Sequence, residues 1–186
     1  MKNAEARELW KARHQAMVVN YNMGSLETVV GKHAVYLVDY ARETNENKKK
    51  QFAIEIGSLV AIWADILSSN NDCAKHLRTG NEEQINCDFK TLVREMILDF
   101  TKQAFQLLKP NARPLDINML RSVQIYMVVS KKAGRHYEQT KRHLQEYAFF
   151  LNQVGNATPG TENASLAGAS CIWSGIHLGT YLDQIL

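Results

Sequence analysis

Between Asp88 and Lys109, nine apolar residues (Phe89, Leu92, Val93, Met96, Ile97, Phe100, Ala104, Leu107 and Leu108) recur with the 3.6-residue period of an α-helix for five turns. A strand turns its side chains to alternate faces every second residue, so it would place half of this set in water. Pro110 ends the run, because proline cannot donate the next helical N–H and restricts the residue before it.

The same period extends to most of the chain. A first helix is expected over about 4–21. Ser25 can then cap a helix that puts Leu26, Val30, His33 or Ala34, Leu37 and Ala41 on one face. A strand through the β-prone Val35-Tyr36-Leu37-Val38 is the rival there. Further helices are expected over about 48–68, from the cap Asp72 to Gly80, from Pro114 to about Lys131, and on to about Val154 with a bend at Gly134. A loop near 155–163, carrying Gly155, Pro159 and Gly160, precedes a last helix over 164–184. No Asn-Gly or Asp-Gly hairpin signal occurs. The expected fold is all-α: a single helical domain over 1–186, built as one irregular bundle of about six to eight helices.

Composition narrows the class. With 45% hydrophobic residues and a net charge of +3, the chain can bury a core and is not of the disordered type. Residues 163–182 form the longest uncharged run, but Asn163, His177, Thr180, three Ser and three Gly dilute it, so no membrane span is expected. The charged stretch Met1 to Trp10 lacks the apolar core of a secretory signal. Cys73, Cys87 and Cys171 are an odd number without ligand spacing, which fits ordinary thiols in a reducing, cytoplasmic compartment. The sequons at Asn156 and Asn163 then read as chance matches.

The net charge hides a strong asymmetry. Residues 1–101 sum to −1, residues 102–143 to +7, and residues 144–186, with no Lys or Arg, to −3. Lys102, Lys109, Arg113, Arg121, Lys131, Lys132, Arg135, Lys141 and Arg142 make up the basic middle. All but Lys102 are expected to bind nucleic acid or another polyanion, since each neutralised phosphate releases counterions. Tyr126 and Tyr137 lie among them as potential stacking groups. The competing expectation is a solvated basic face paired with acids from 1–101.

Histidines supply the chemical candidates. His136, Gln139, His143 and Glu146 fall on one helical stripe, the arrangement a metal-dependent enzyme could use. Yet His136 and His143 would stand about 10.5 Å apart along the axis, too far for one ion without further ligands. Asp72 with His76, and Arg7 with His14, are weaker pairings. His33, near Tyr36 and Tyr40, is expected to be a buried, hydrogen-bonded core histidine. Phosphate-loop, dinucleotide, zinc-protease and esterase signatures are absent, and no metal or cofactor is expected.

The last helix has the most unusual pattern. Ala164, Gly168, Cys171, Gly175 and Gly179 recur at i, i+4, i+7, i+11 and i+15, a continuous face of small residues. Each interior glycine costs about 1 kcal/mol relative to alanine, so close packing must offset it. Docking against the 88–109 helix of the same chain is one expectation; an interface with another subunit or partner helix is the functional one. Together these features suggest a non-enzymatic assembly or binding protein, coat- or nucleoprotein-like, that self-associates or holds a protein partner. A partner-binding adaptor or chaperone docking through the small-residue helix is the first alternative. The metal-dependent enzyme built on His136, His143 and Glu146 is the second.

Overall fold

The computed structural model describes residues 25–67, 89–109, 111–120, 123 and 135–186. Among them lie five α-helices: α1 (Leu26–Arg42), α2 (Glu46–Leu67), α3 (Phe89–Ala104), α4 (Arg135–Asn156) and α5 (Glu162–Ile185). No described residue is in a strand, and the β-prone Val35–Val38 lies inside α1. The helices expected over 4–21 and 72–80 lie outside the described residues. No helix among the described residues is long and apolar enough to cross a membrane.

Local chemistry sets the helix starts. Ser25 is extended (φ −114°, ψ 148°), and its hydroxyl accepts the Thr28 N–H at 3.2 Å. The next two orphan donors of α1, Leu26 N–H and Glu27 N–H, go to the Asp183 carboxylate of α5, at 2.7 and 2.9 Å. At α5, Thr161 accepts the Ala164 N–H at 3.2 Å. That cap starts the helix at Glu162 and confines the connection to 157–161, shorter than the expected 155–163 loop.

Two boundaries differ from the periodic reading. The 88–109 helix stops being α-helical at Ala104 and tightens into a 3₁₀ turn, Phe105–Leu108. There the Leu107 carbonyl, an acceptor near the helix end, takes a hydrogen bond from Asn152 Nδ2 of α4 at 3.1 Å. The helix expected from Pro114 does not begin there. Residues 112–116 have no regular structure, and Asp116 caps a 3₁₀ turn, Ile117–Met119, through the Asn118 N–H. Asn111 has a positive φ of 59°, and its N–H donates to Asn156 Oδ1 at 3.0 Å, which ties this connection to the end of α4.

The core centres on α1, which packs against α5, α2 and α4. Trp63, Tyr147, Phe100, Leu37 and Leu59 are fully buried in it. Ala164, Gly168, Cys171, Gly175 and Gly179 are all buried too, and the helix they meet is α1 rather than the 88–109 segment. A Cβ at Gly175 would stand 2.8 Å from Ala34 Cβ, and one at Gly179 would stand 2.5 Å from the Leu26 carbonyl oxygen. The small-residue stripe is therefore filled from within the chain.

Candidate functional site

Because the small face of α5 turns inward, its bulky face turns outward. Leu166, Ser170, Trp173 and His177 share a stripe on the opposite side of the helix from Gly168 and Gly175. Leu166 and Trp173 are 60% and 62% exposed. On α4, Arg142, Glu146, Phe149, Gln153 and Asn156 form a second outward stripe, about 21 Å long at 1.5 Å per residue. Phe149 is 57% exposed.

Phe149, Gln153 and Asn156 of one stripe and Leu166 and Ser170 of the other border a run of adjoining depressions. The first, about 470 Å³, lies between α4 and α5 and is lined by Phe149, Phe150, Gln153, Asn156, Asn163, Leu166, Ala167 and Ser170, among others. Phe149, Gln153 and Asn156 are shared with a second of about 320 Å³, whose far wall is Ala112, Pro114 and Leu115. Those three residues are shared in turn with a third of about 500 Å³ that reaches Arg113, Asp116 and Met119. Apolar rings and carboxamides thus share one open face. Beneath it, the buried Asn152 Oδ1 has no hydrogen-bond partner among the described residues.

Cations stand at both ends of this face. Lys109 and Arg113 are exposed and flank a turn closed by the Ala112 N–H donating to the Lys109 carbonyl at 3.0 Å. Arg142 is exposed on α4, one helical turn before Glu146. Lys109, Arg113 and Arg142 make no ion pair with a described residue. Lys141 is half-buried and pairs with Glu138 at 3.4 Å. Arg135 opens α4. Arg121, Lys131 and Lys132, as well as Tyr126, lie outside the described residues.

The histidine stripe comes together with α5 rather than around an ion. His136 Nδ1 and the Tyr181 hydroxyl share a hydrogen bond of 3.1 Å, and His143 stacks on the Tyr181 ring at 4.8 Å. Trp173 and His177 continue the series, their rings 5.7 Å apart. Burial lowers the His143 pKa; Glu146 opposes that shift, while His177 and Arg142 reinforce it. No group of three or more His, Cys, Asp or Glu among the described residues is placed to hold a metal ion. Asp72, His76, Arg7 and His14 lie outside the described residues.

His33 belongs to the core. It is buried and shares a hydrogen bond with Tyr147, with the Trp63 ring edge-on at 5.3 Å. Burial alone brings its pKa down to about 3, so the imidazole is neutral. Burial also pushes the Cys171 thiol up to about 12 and the Tyr147 phenol well above its ordinary value. These groups are therefore protonated, and the thiol is not primed as a nucleophile.

The sequence places Leu166 and Trp173 on sides of the last helix away from its glycines but assigns them no role, and it gives no signal for the exposure of Phe149 on α4. No protein-family model matches the chain, and neither a curated protein nor a solved structure does.

Proposed function

We propose that this chain is a non-enzymatic binding protein that holds a polyanion, nucleic acid foremost, on the outward face of α4 and α5 and the adjoining 109–116 connection. The observation that carries this reading is the placement of Lys109, Arg113 and Arg142. All three are exposed and without a carboxylate partner among the described residues; Arg113 lines the groove system, Lys109 opens the same turn, and Arg142 stands on α4 two turns before Phe149. A solvated face paired with acids would show these cations in ion pairs, as Lys141 shows with Glu138. The groove is broad and open, a shape that suits an extended ligand.

The test is retention of a labelled single-stranded oligonucleotide across a salt series. Each phosphate contact contributes about −0.7 to the slope of log affinity against log salt for a single strand. Lys109→Glu/Arg113→Glu should weaken binding and flatten that slope by about 1.4. Absent or salt-insensitive retention by the wild-type chain would overturn the reading.

A second reading, self-association or partner docking through the last helix, draws support from the exposure of Leu166 and Trp173. It moves from the small-residue stripe, which α1 fills, to the opposite face. The mass of the native particle tests it: a monomer at micromolar concentration with no co-purifying protein would count against it.

A further inference from the structure

The cations explain attraction to phosphate but not the exposed rings between them. We propose that the outward face of α4 and α5 stacks the bases of a single-stranded nucleic acid, with Phe149 and Trp173 as platforms. This rests on the polyanion reading above and names the ligand of that same face. Phe149 projects from the partition between two depressions, and Trp173 lies on the α5 stripe two turns beyond Leu166. Both rings are more than half exposed, so each can offer a face without repacking the core. Base–aromatic stacking tolerates any sequence because every base has a π-face.

The chemistry of the groove selects this occupant over an apolar partner helix. Gln153, Asn156 and Asn163 line the depression that Phe149 borders, on the side of Phe149 nearer the 157–161 connection. An apolar helix laid there would strip water from three carboxamides and return no hydrogen bonds, at a cost in free energy for each. Base edges carry both donors and acceptors, which a carboxamide can match with its oxygen and its NH₂ group. Charge is complementary as well: Arg113 and Arg142 stand beyond opposite ends of the ring-bearing stretch, where a backbone entering and leaving the groove would place phosphates. In a duplex the bases are already stacked on one another, so the face favours single strands.

The experiment compares three probes on the full chain: a mixed-sequence single-stranded DNA, the duplex of that sequence and inorganic polyphosphate. The single strand should bind tightest. Trp173→Ala and Phe149→Ala should each weaken it roughly tenfold, leave its salt slope unchanged and leave polyphosphate binding unaffected. Trp173→Phe should retain most of the affinity, since a ring remains, and should lose the ligand-induced quenching of Trp173 fluorescence expected of the wild type. Both positions are exposed, and circular dichroism verifies that the variants remain folded. If both alanine variants bind the single strand as wild type does while the salt slope persists, the stacking proposal falls and the polyanion reading stands. Equal affinity for polyphosphate, or for duplex, has the same consequence. Loss of self-association in Trp173→Ala with unaltered single-strand binding would assign the ring to a protein interface and overturn the proposal. Failure of all three probes to bind would overturn both.

Discussion

His33 Nδ1 and the Tyr147 hydroxyl lie 2.9 Å apart in the buried core of the molecule, joining α1 to α4. With its pKa lowered to about 3 by burial, His33 meets the phenol as a neutral imidazole, and one hydrogen bond satisfies a polar atom of each. The pair ties α1 to α4, and ring contacts of His33 with Trp63 and of Tyr147 with Phe100 hold both groups in place. Such a bond contributes about 0.5–1.5 kcal/mol net, but leaving one partner buried alone costs about 1–3 kcal/mol.

A pH dependence of stability follows. In the unfolded chain His33 takes up a proton near its ordinary pKa of 6.5; in the folded chain it does so only near 3. Between those values the unfolded state holds more protons. Stability from this group is therefore complete above pH 6.5 and is lost as pH falls toward 3, by up to about 1.4 kcal/mol per pH unit. His33→Gln keeps a hydrogen-bonding side chain and removes the titration. Urea midpoints at neutral and mildly acidic pH should fall further for the wild type than for this variant; parallel profiles would contradict the assignment.

Gly179 and Gly57 should respond oppositely to alanine. A methyl at Gly179 would press on the backbone of Leu26 and Glu27, which cannot rotate away as a side chain could. Gly179→Ala should destabilise by about 1–3 kcal/mol through separation of α1 and α5. Nothing lies within 4 Å of a Cβ built on Gly57, in the interior of α2. Gly57→Ala should stabilise by about 0.5–1 kcal/mol through backbone entropy alone. Thermal denaturation of the two variants gives the signs directly.

Asp183 acts on α1 as an N-cap residue does, though it comes from the far end of α5. Removing its carboxylate leaves the Leu26 and Glu27 N–H groups without their acceptor. Asp183→Ala should cost about 0.5–2 kcal/mol, the range for losing a helix cap. Asp183→Asn keeps one acceptor oxygen and should cost less. If the alanine and asparagine variants melt together with wild type, water replaces this contact without loss.

These cases mark where sequence reading succeeds. The Ser25 cap was legible because it acts across three residues, and the helical class was legible because the period repeats within each segment. The Asp183 cap was not legible, since it joins positions 157 residues apart. The glycine stripe announced close packing but not its partner, because a face of small residues can fit against any helix of suitable shape. Its consequence was harder still: apolar periodicity ordinarily marks the inside, and here Leu166 and Trp173 mark the outside. Of the eight cations expected to contact a polyanion, Lys109, Arg113 and Arg142 emerge as exposed, while Lys141 is engaged with Glu138.

Glu146 is the test of charge on the proposed binding face. It is exposed between Arg142 and Phe149 on the outward stripe of α4, the one carboxylate within that stripe. A phosphate approaching Arg142 meets its repulsion, worth about 1 kcal/mol for unit charges 4 Å apart in water. Glu146→Gln preserves size and hydrogen bonding and should raise single-stranded DNA affinity by up to about fivefold at low salt, converging on wild type as salt screens the charge. The same substitution removes the carboxylate that favours protonated His143, so its pKa should fall further. A histidine titration followed by NMR reports that shift independently of binding. Unchanged affinity together with a shifted His143 would place the polyanion away from this part of α4, toward Lys109 and Arg113.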